Sequence, residues 1–160
     1  MEKIRAEHDA VLGPDPNEVG QALSMNPLLL NRLPYTPAVI KKTLRIFPVV
    51  SAPRGGQEDF ILTNSKGQRF PTSNCLVWAV HHGLHKIPLW WPRVNEFIPG
   101  RFLSHTDPDY LEELRPLKHA WRPFELGPRA CIGTELAMTE LKIVLAMTAR
   151  DFDLKEIFVE

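Results

Sequence analysis

The sequence predicts a mainly α fold with a small β part, an α+β arrangement, on three observations. Apolar residues recur at helical spacing in separate stretches of the first 47 residues. One turn cluster, Asn64-Ser65-Lys66-Gly67, lies between apolar residues and signals a hairpin. A C-terminal stretch, residues 134–149, is apolar around most of a helical circumference.

Each element has its own local reason. Ile4, His8, Val11 and Leu12 share one side of a short amphipathic helix that Gly13-Pro14 ends, and residues 17–25 suit a second. Thr36-Pro37 opens the next helix, with Thr36 as the expected N-cap and Pro37 at the first helical position. Ile40, Leu44 and Phe47 form its apolar face, and Pro48 stops it. Phe60, Leu62 and Phe70 flank the hairpin turn, whereas residues 76–80 fit strand or helix equally. Across residues 86–123 prolines recur without a period, so packed irregular loop is expected. The final helix, polar only at Glu135, Glu140 and Lys142, is expected to be buried.

A chain of 160 residues suits one domain, residues 1–160, and can bury a sizeable core. Its 19 basic and 19 acidic residues balance, which gives no electrostatic reason to expect nucleic acid or an anionic membrane as partner. There is no signal peptide and no apolar run of the roughly 18 residues that a membrane span needs. Two cysteines make no disulfide framework and point to a reducing, intracellular setting. Cys75 reads as a small buried residue.

Chemistry concentrates in Phe124-Glu125-Leu126-Gly127-Pro128-Arg129-Ala130-Cys131-Ile132-Gly133. Gly127 and Gly133 lack a Cβ, as a sharp turn or the close approach of a flat ligand requires. Arg129 adds a permanent cation, and the helix opening near Thr134 puts the positive end of its dipole beside Cys131. That setting favours thiolate over thiol. Phe124, Leu126, Ile132 and Leu136 are expected to screen the sulfur from water, which suits ligation better than solvent-facing redox chemistry.

This run resembles the haem-binding loop of the cytochrome P-450 family, F-x-x-G-x-R-x-C-x-G, matched at Phe124, Gly127, Arg129, Cys131 and Gly133. At roughly one chance in twenty per fixed position, coincidence is a poor explanation. The resemblance implies that Cys131 is the axial thiolate of haem iron, whose electron donation favours O–O cleavage. It implies that Arg129 pairs with a haem propionate, that Phe124 packs near the sulfur, and that both glycines let the loop lie close under the ring. Pro53-Arg54 resembles a family strand whose arginine also approaches a propionate. The family often has Gly or Ser where this chain has Glu125.

The match extends through most of the chain and departs from the family at informative places. Residues 2–13 resemble the helix that precedes the family's E-x-x-R helix. Residues 33–48 are similar to that E-x-x-R helix itself, with Arg45 in the arginine place but Lys42 in the glutamate place. Phe97-Ile98-Pro99-Gly100-Arg101-Phe102 resembles the P-E-R-F segment, with Gly100 for its glutamate. Taken alone, Lys41, Lys42 and Arg45 read as a solvated helix face. The resemblance instead brings Lys42, Arg45 and Arg101 together in a buried network with no carboxylate from either motif, and so predicts a weakened or rearranged core. No segment resembles the family's oxygen-activating helix, its N-terminal half or its closing hairpin, so the chain is expected to be a truncated C-terminal portion.

Other candidates carry less. His81 and His85 stand four apart, but without the glutamate of H-E-x-x-H and with Gly83 between them they read as packing or surface histidines. Trp78, Trp90, Trp91 and Trp121 lack a basic groove and read as core and loop anchors. No phosphate loop, nucleophile elbow or carboxylate pair occurs, so no catalytic residue is assigned. The resemblance implies a haem-thiolate monooxygenase that takes electrons from a reductase and inserts oxygen into a small lipophilic substrate. Full-length family members are often attached to the endoplasmic reticulum. Ala120-Trp121-Arg122-Pro123-Phe124 resembles filamentous-fungal members, many of them in secondary metabolism. The alternative is a catalytically inactive relic or interaction fragment that keeps the loop, and the sequence leaves both open.

Overall fold

The computed structural model describes residues 1–51 and 53–153. Five α-helices dominate: α1 (Glu2–Leu12), α2 (Val19–Met25), α3 (Tyr35–Ile46), the single turn α4 (His81–Leu84) and α5 (Thr134–Thr148). Four three-residue strands form two antiparallel pairs. β1 (Pro53–Gly55) lies against β4 (Leu76–Trp78), and β2 (Ile61–Thr63) pairs with β3 (Arg69–Pro71) around the expected turn. The mainly α character with a small β part is as the sequence implied, and residues 76–78 resolve as strand.

The apolar core joins the N-terminal elements to the end of the chain. Leu12, Val19, Leu23, Leu30 and Leu33 bury together with Ala146 of α5, and Val11, Leu29 and Ile143 cover them. Ile4, His8 and Leu12, spaced four apart, form the buried stripe of α1. From 86 to 123 the chain runs through turns and short 3-10 segments, as its prolines require, and the segment Pro99–Phe102 packs on α3.

Several expectations are corrected. α3 starts at Tyr35, two residues too early for Thr36 to be its N-cap, a place that Pro34 takes. Thr36 is instead fully buried, and the Glu7 carboxylate reaches across from α1 to accept the Tyr35 and Thr36 backbone N–H groups and the Thr36 hydroxyl. A carboxylate at a helix N-terminus meets orphan donors and the dipole together, so a tertiary contact replaces the local cap. Phe47 is exposed, because the buried side of α3 runs through Thr36, Ala38, Ile40, Lys42 and Arg45. Cys75 is exposed, not buried, one residue before β4.

The largest departure concerns α5. Only one face of α5, through Ile143 and Ala146, reaches the core, so Leu136, Leu141, Val144 and Met147 remain exposed instead of buried. An all-round apolar helix needs cover on every side, and the core covers one.

Candidate functional site

The three cations that the E-x-x-R and P-E-R-F resemblances placed together do converge. Lys42 and Arg45 lie one turn apart on α3, and the 3-10 segment packed on that helix contributes Arg101. All three are essentially without solvent exposure, as is Trp91, over whose ring the Arg45 and Arg101 guanidinium carbons stand at 5.4 and 5.9 Å. Among the described residues no carboxylate hydrogen-bonds to them, and backbone carbonyls accept: Arg45 donates to His85 O (2.7 Å) and Val94 O (2.6 Å), and Arg101 to Pro92 O (3.0 Å). Lys42 Nζ has no hydrogen-bond partner among the described residues. Burial first, then the charges of Arg45 and Arg101, push Lys42 down to about 7. Burial and Arg101 likewise bring Arg45 down to about 10.

From this cluster a chain of aromatic contacts leads to the surface. Trp91 meets His85 on one side (5.8 Å) and Phe102 on the other (6.2 Å); His85 stacks on His81, and Phe102 continues through Trp121 to Phe124. His81 and Phe124 both line a cleft of about 630 Å³, a size typical of small-molecule and cofactor sites. Leu44, Val49, Val50, Pro123, Ala137, Leu141 and Val144 make its apolar wall. Arg54, Glu125, Arg129, Cys131 and Glu140 supply the polar groups.

The cleft thus gathers Phe124, Arg129 and Cys131 from one loop and Arg54 from β1, 75 residues distant from Arg129 in sequence; Arg54 Nη2 donates to Arg129 O at 3.4 Å. Gly127 and Gly133 do not line it. Gly127 holds φ +76, a left-handed conformation suited to glycine, and so has the backbone role expected of it. Gly133 has φ −85 and contributes only proximity: a Cβ there would stand 3.8 Å from the Cys131 sulfur.

Cys131 lies three residues before α5, its amide donating to Phe124 O (2.8 Å) and its carbonyl accepting from the Thr134 hydroxyl (2.8 Å). The expected screen around it is absent. Cys131 is exposed, and so are Leu126 (40%), Ile132 (fully) and Leu136 (65%), because the loop runs along the surface away from the core at the far end of α5. What shields the sulfur is confined to the concave wall of the cleft.

Sequence reading gave Glu125 no role and took its partner His81 for a packing or surface histidine. Glu125 has φ +61 and is 14% exposed in its side chain, with Oε1 bonded to His81 Nε2 (2.8 Å) and Oε2 to Arg122 Nη2 (2.7 Å). Burial alone would raise its carboxyl, but the hydrogen bonds from Arg122 and His81 outweigh it and hold Glu125 below the usual carboxylate range. Val50 O, at 3.0 Å from His81 Nδ1, is also an acceptor, so both His81 bonds coexist when each ring nitrogen carries a proton. His81 and His85 are therefore buried packing residues, and no cluster suited to a metal ion occurs among the described residues. The signal at Glu125 was its departure from the Gly or Ser common in the resembling loop.

The chain is similar to known proteins over most or all of its length. The chain is 46% identical over its whole length to a cytochrome P450 monooxygenase of Polytolypa hystricis (polC), covering 28% of that protein. It is 37% identical to one of Aspergillus aculeatus (acrF), with all of this chain and 35% of that protein covered. A Penicillium crustosum cytochrome P450 monooxygenase (PC-23) is 35% identical, over 96% of this chain and 72% of its own length. The chain therefore spans about a third or less of the length of the first two. No helix among the described residues is long and apolar enough to cross a membrane. The family model for cytochrome P450 matches residues 1–157, and the chain belongs to the cytochrome P450 family, whose members carry a haem-thiolate cofactor.

Proposed function

We propose that this chain forms the haem-thiolate region of a monooxygenase, with Cys131 as the axial ligand. One observation carries the reading: an exposed thiol shares a 630 Å³ apolar cleft with two arginines and an aromatic ring, the donor set that a flat, dianionic, metal-bearing ligand needs. Iron protoporphyrin, when bound, supplies the activation of dioxygen for insertion of one oxygen atom into substrate. The chain's residues then have distinct tasks. Cys131 would present its sulfur to the metal, Arg54 and Arg129 would neutralise the cofactor's carboxylates, and Phe124 would limit water near the sulfur. Gly127 lets the loop turn without a Cβ, and Leu44, Val49, Val50, Leu141 and Val144 would keep water from a ligand bound in the cleft.

The substrate is a small lipophilic molecule, electrons come from a reductase partner, and secondary metabolism is the setting, as the resemblance to fungal monooxygenases suggests. Lys42 favours a second reading, an inactive relic that keeps the cofactor loop: a buried cation without a carboxylate weakens the core beneath it. Haem titration into the purified chain, followed by assay with labelled dioxygen, reductase and lipophilic test substrates, separates the two. Equimolar uptake with label entering product supports the monooxygenase; uptake without product supports the relic. Equal uptake by the Cys131→Ser chain refutes the proposed ligand.

A further inference from the structure

We propose that Glu125 is a positioning residue that fixes the loop carrying Cys131, acting through His81 and Arg122. The inference rests on the reading of Cys131 as ligand but is carried by different contacts. Glu125 adopts φ +61, where a side chain is disfavoured and glycine would be comfortable. Its retention there calls for a compensating role of the carboxylate, and the structure assigns one. Both oxygens are engaged, one by His81 Nε2 at 2.8 Å and the other by Arg122 Nη2 at 2.7 Å, in a place largely shut off from solvent.

The partners are anchored in turn. His81 Nδ1 meets Val50 O at 3.0 Å, and the Arg122 backbone N–H donates to His85 Nε2 at 3.0 Å, so both ends of the 122–125 turn are tied to α4 or to the residue that caps it. The Glu125 backbone N–H donates to Arg122 O at 3.1 Å. That N–H shares a rigid peptide plane with Phe124 C=O, the acceptor of the Cys131 amide at 2.8 Å. Holding the Glu125 side chain therefore sets the plane of the Phe124–Glu125 peptide, and that plane sets where the Cys131 backbone hangs. The His81 bond also links the first ring of the aromatic chain to Glu125, the residue next to its last ring, Phe124.

Glu125→Gly is the stringent test, because it relieves the backbone while deleting the clamp. In the ligand-free chain, amide hydrogen exchange at Cys131 should speed by about tenfold or more in Glu125→Gly and in His81→Ala. Glu125→Gln, which keeps the shape and part of the bonding, should fall between them and wild type. Exchange at core amides of α1 and α3 in the same samples reports global stability and should change far less. In the haem-loaded chain, the carbon-monoxide complex of Glu125→Gly should lose its thiolate-type Soret band faster than wild type, with Glu125→Gln partly restoring it. Unchanged exchange at Cys131 and an unchanged band in Glu125→Gly would overturn the clamp while leaving the ligand assignment intact. If wild type itself shows no thiolate-type band, the ligand assignment fails, and amide exchange alone then decides the clamp. Should Glu125→Gly not fold, the comparison of Glu125→Gln with His81→Ala decides: loss of Cys131 protection no faster than that of the core amides refutes positioning.

Discussion

Replacing Lys42 by glutamate should make this chain more stable. In the folded state Lys42 is fully buried, has no hydrogen-bond partner among the described residues, and shares its site with two guanidinium groups. Burial, then Arg45 and Arg101, lowers its pKa from 10.5 to about 7. At about 1.36 kcal/mol per unit, that drop corresponds to a penalty on the order of 3–5 kcal/mol for the protonated form relative to the unfolded chain. The sign follows from proton binding. Between pH 7 and 10.5 the unfolded chain holds more protons at this site than the folded chain, so stability rises with pH there and is lowest, and flat, below about 7. A glutamate removes the cation and gives Arg45 and Arg101 a carboxylate, so Lys42→Glu should gain on the order of 3 kcal/mol at pH 7, roughly 6–12 °C in Tm for a chain of this size. Lys42→Met should recover part of the gain and lose the pH slope. The assay is urea unfolding of the three proteins at pH 7 and pH 9.5. A Lys42→Glu chain no more stable than wild type at pH 7, or a wild-type slope identical to that of Lys42→Met, would refute the reasoning.

Three further outcomes follow from other contacts. Gly100→Ala should destabilise by about 1–3 kcal/mol in the same assay, because its Cβ would fall 2.5 Å from the Asp109 carbonyl oxygen; for the same reason a glutamate at position 100 does not fit without moving backbone. Glu7→Ala should cost about 1–2 kcal/mol and increase amide exchange at Tyr35 and Thr36, whose N–H groups it leaves without an acceptor. Burial pushes His8 and His85 down to about 4, so the unfolded chain binds more protons between pH 6.5 and 4, and stability should fall across that window. His8→Gln should flatten part of that fall in unfolding curves taken at pH 7 and pH 4.5.

The legible parts of the fold were those set by local chemistry. Gly13-Pro14 and Pro48 end helices because proline lacks the N–H that would continue them and Gly13 turns at φ +91, and Asn64 to Gly67 turns the β2–β3 hairpin, so each was visible in a few adjacent residues. Thr36 was misread because a carboxylate 29 residues away takes over the capping, which no local pattern encodes. The apolar circumference of α5 was read correctly as composition and wrongly as burial, since burial depends on which faces have partners. At the site, the loop motif pointed to Cys131 and Arg129, and resemblance supplied Arg54. Their meeting in one cleft, the clamp at Glu125 and the lack of a screen over the sulfur emerge only from packing between distant segments.

The account depends above all on a bond from the Cys131 sulfur to haem iron. The most direct measurement is the absorption spectrum of the reduced, carbon-monoxide-bound chain after reconstitution, recorded for wild type and for Cys131→Ser. The account predicts a strongly red-shifted Soret band in wild type, the signature of thiolate ligation, and its loss in the serine variant. An unshifted wild-type band, or the same red-shifted band in both proteins, would contradict it.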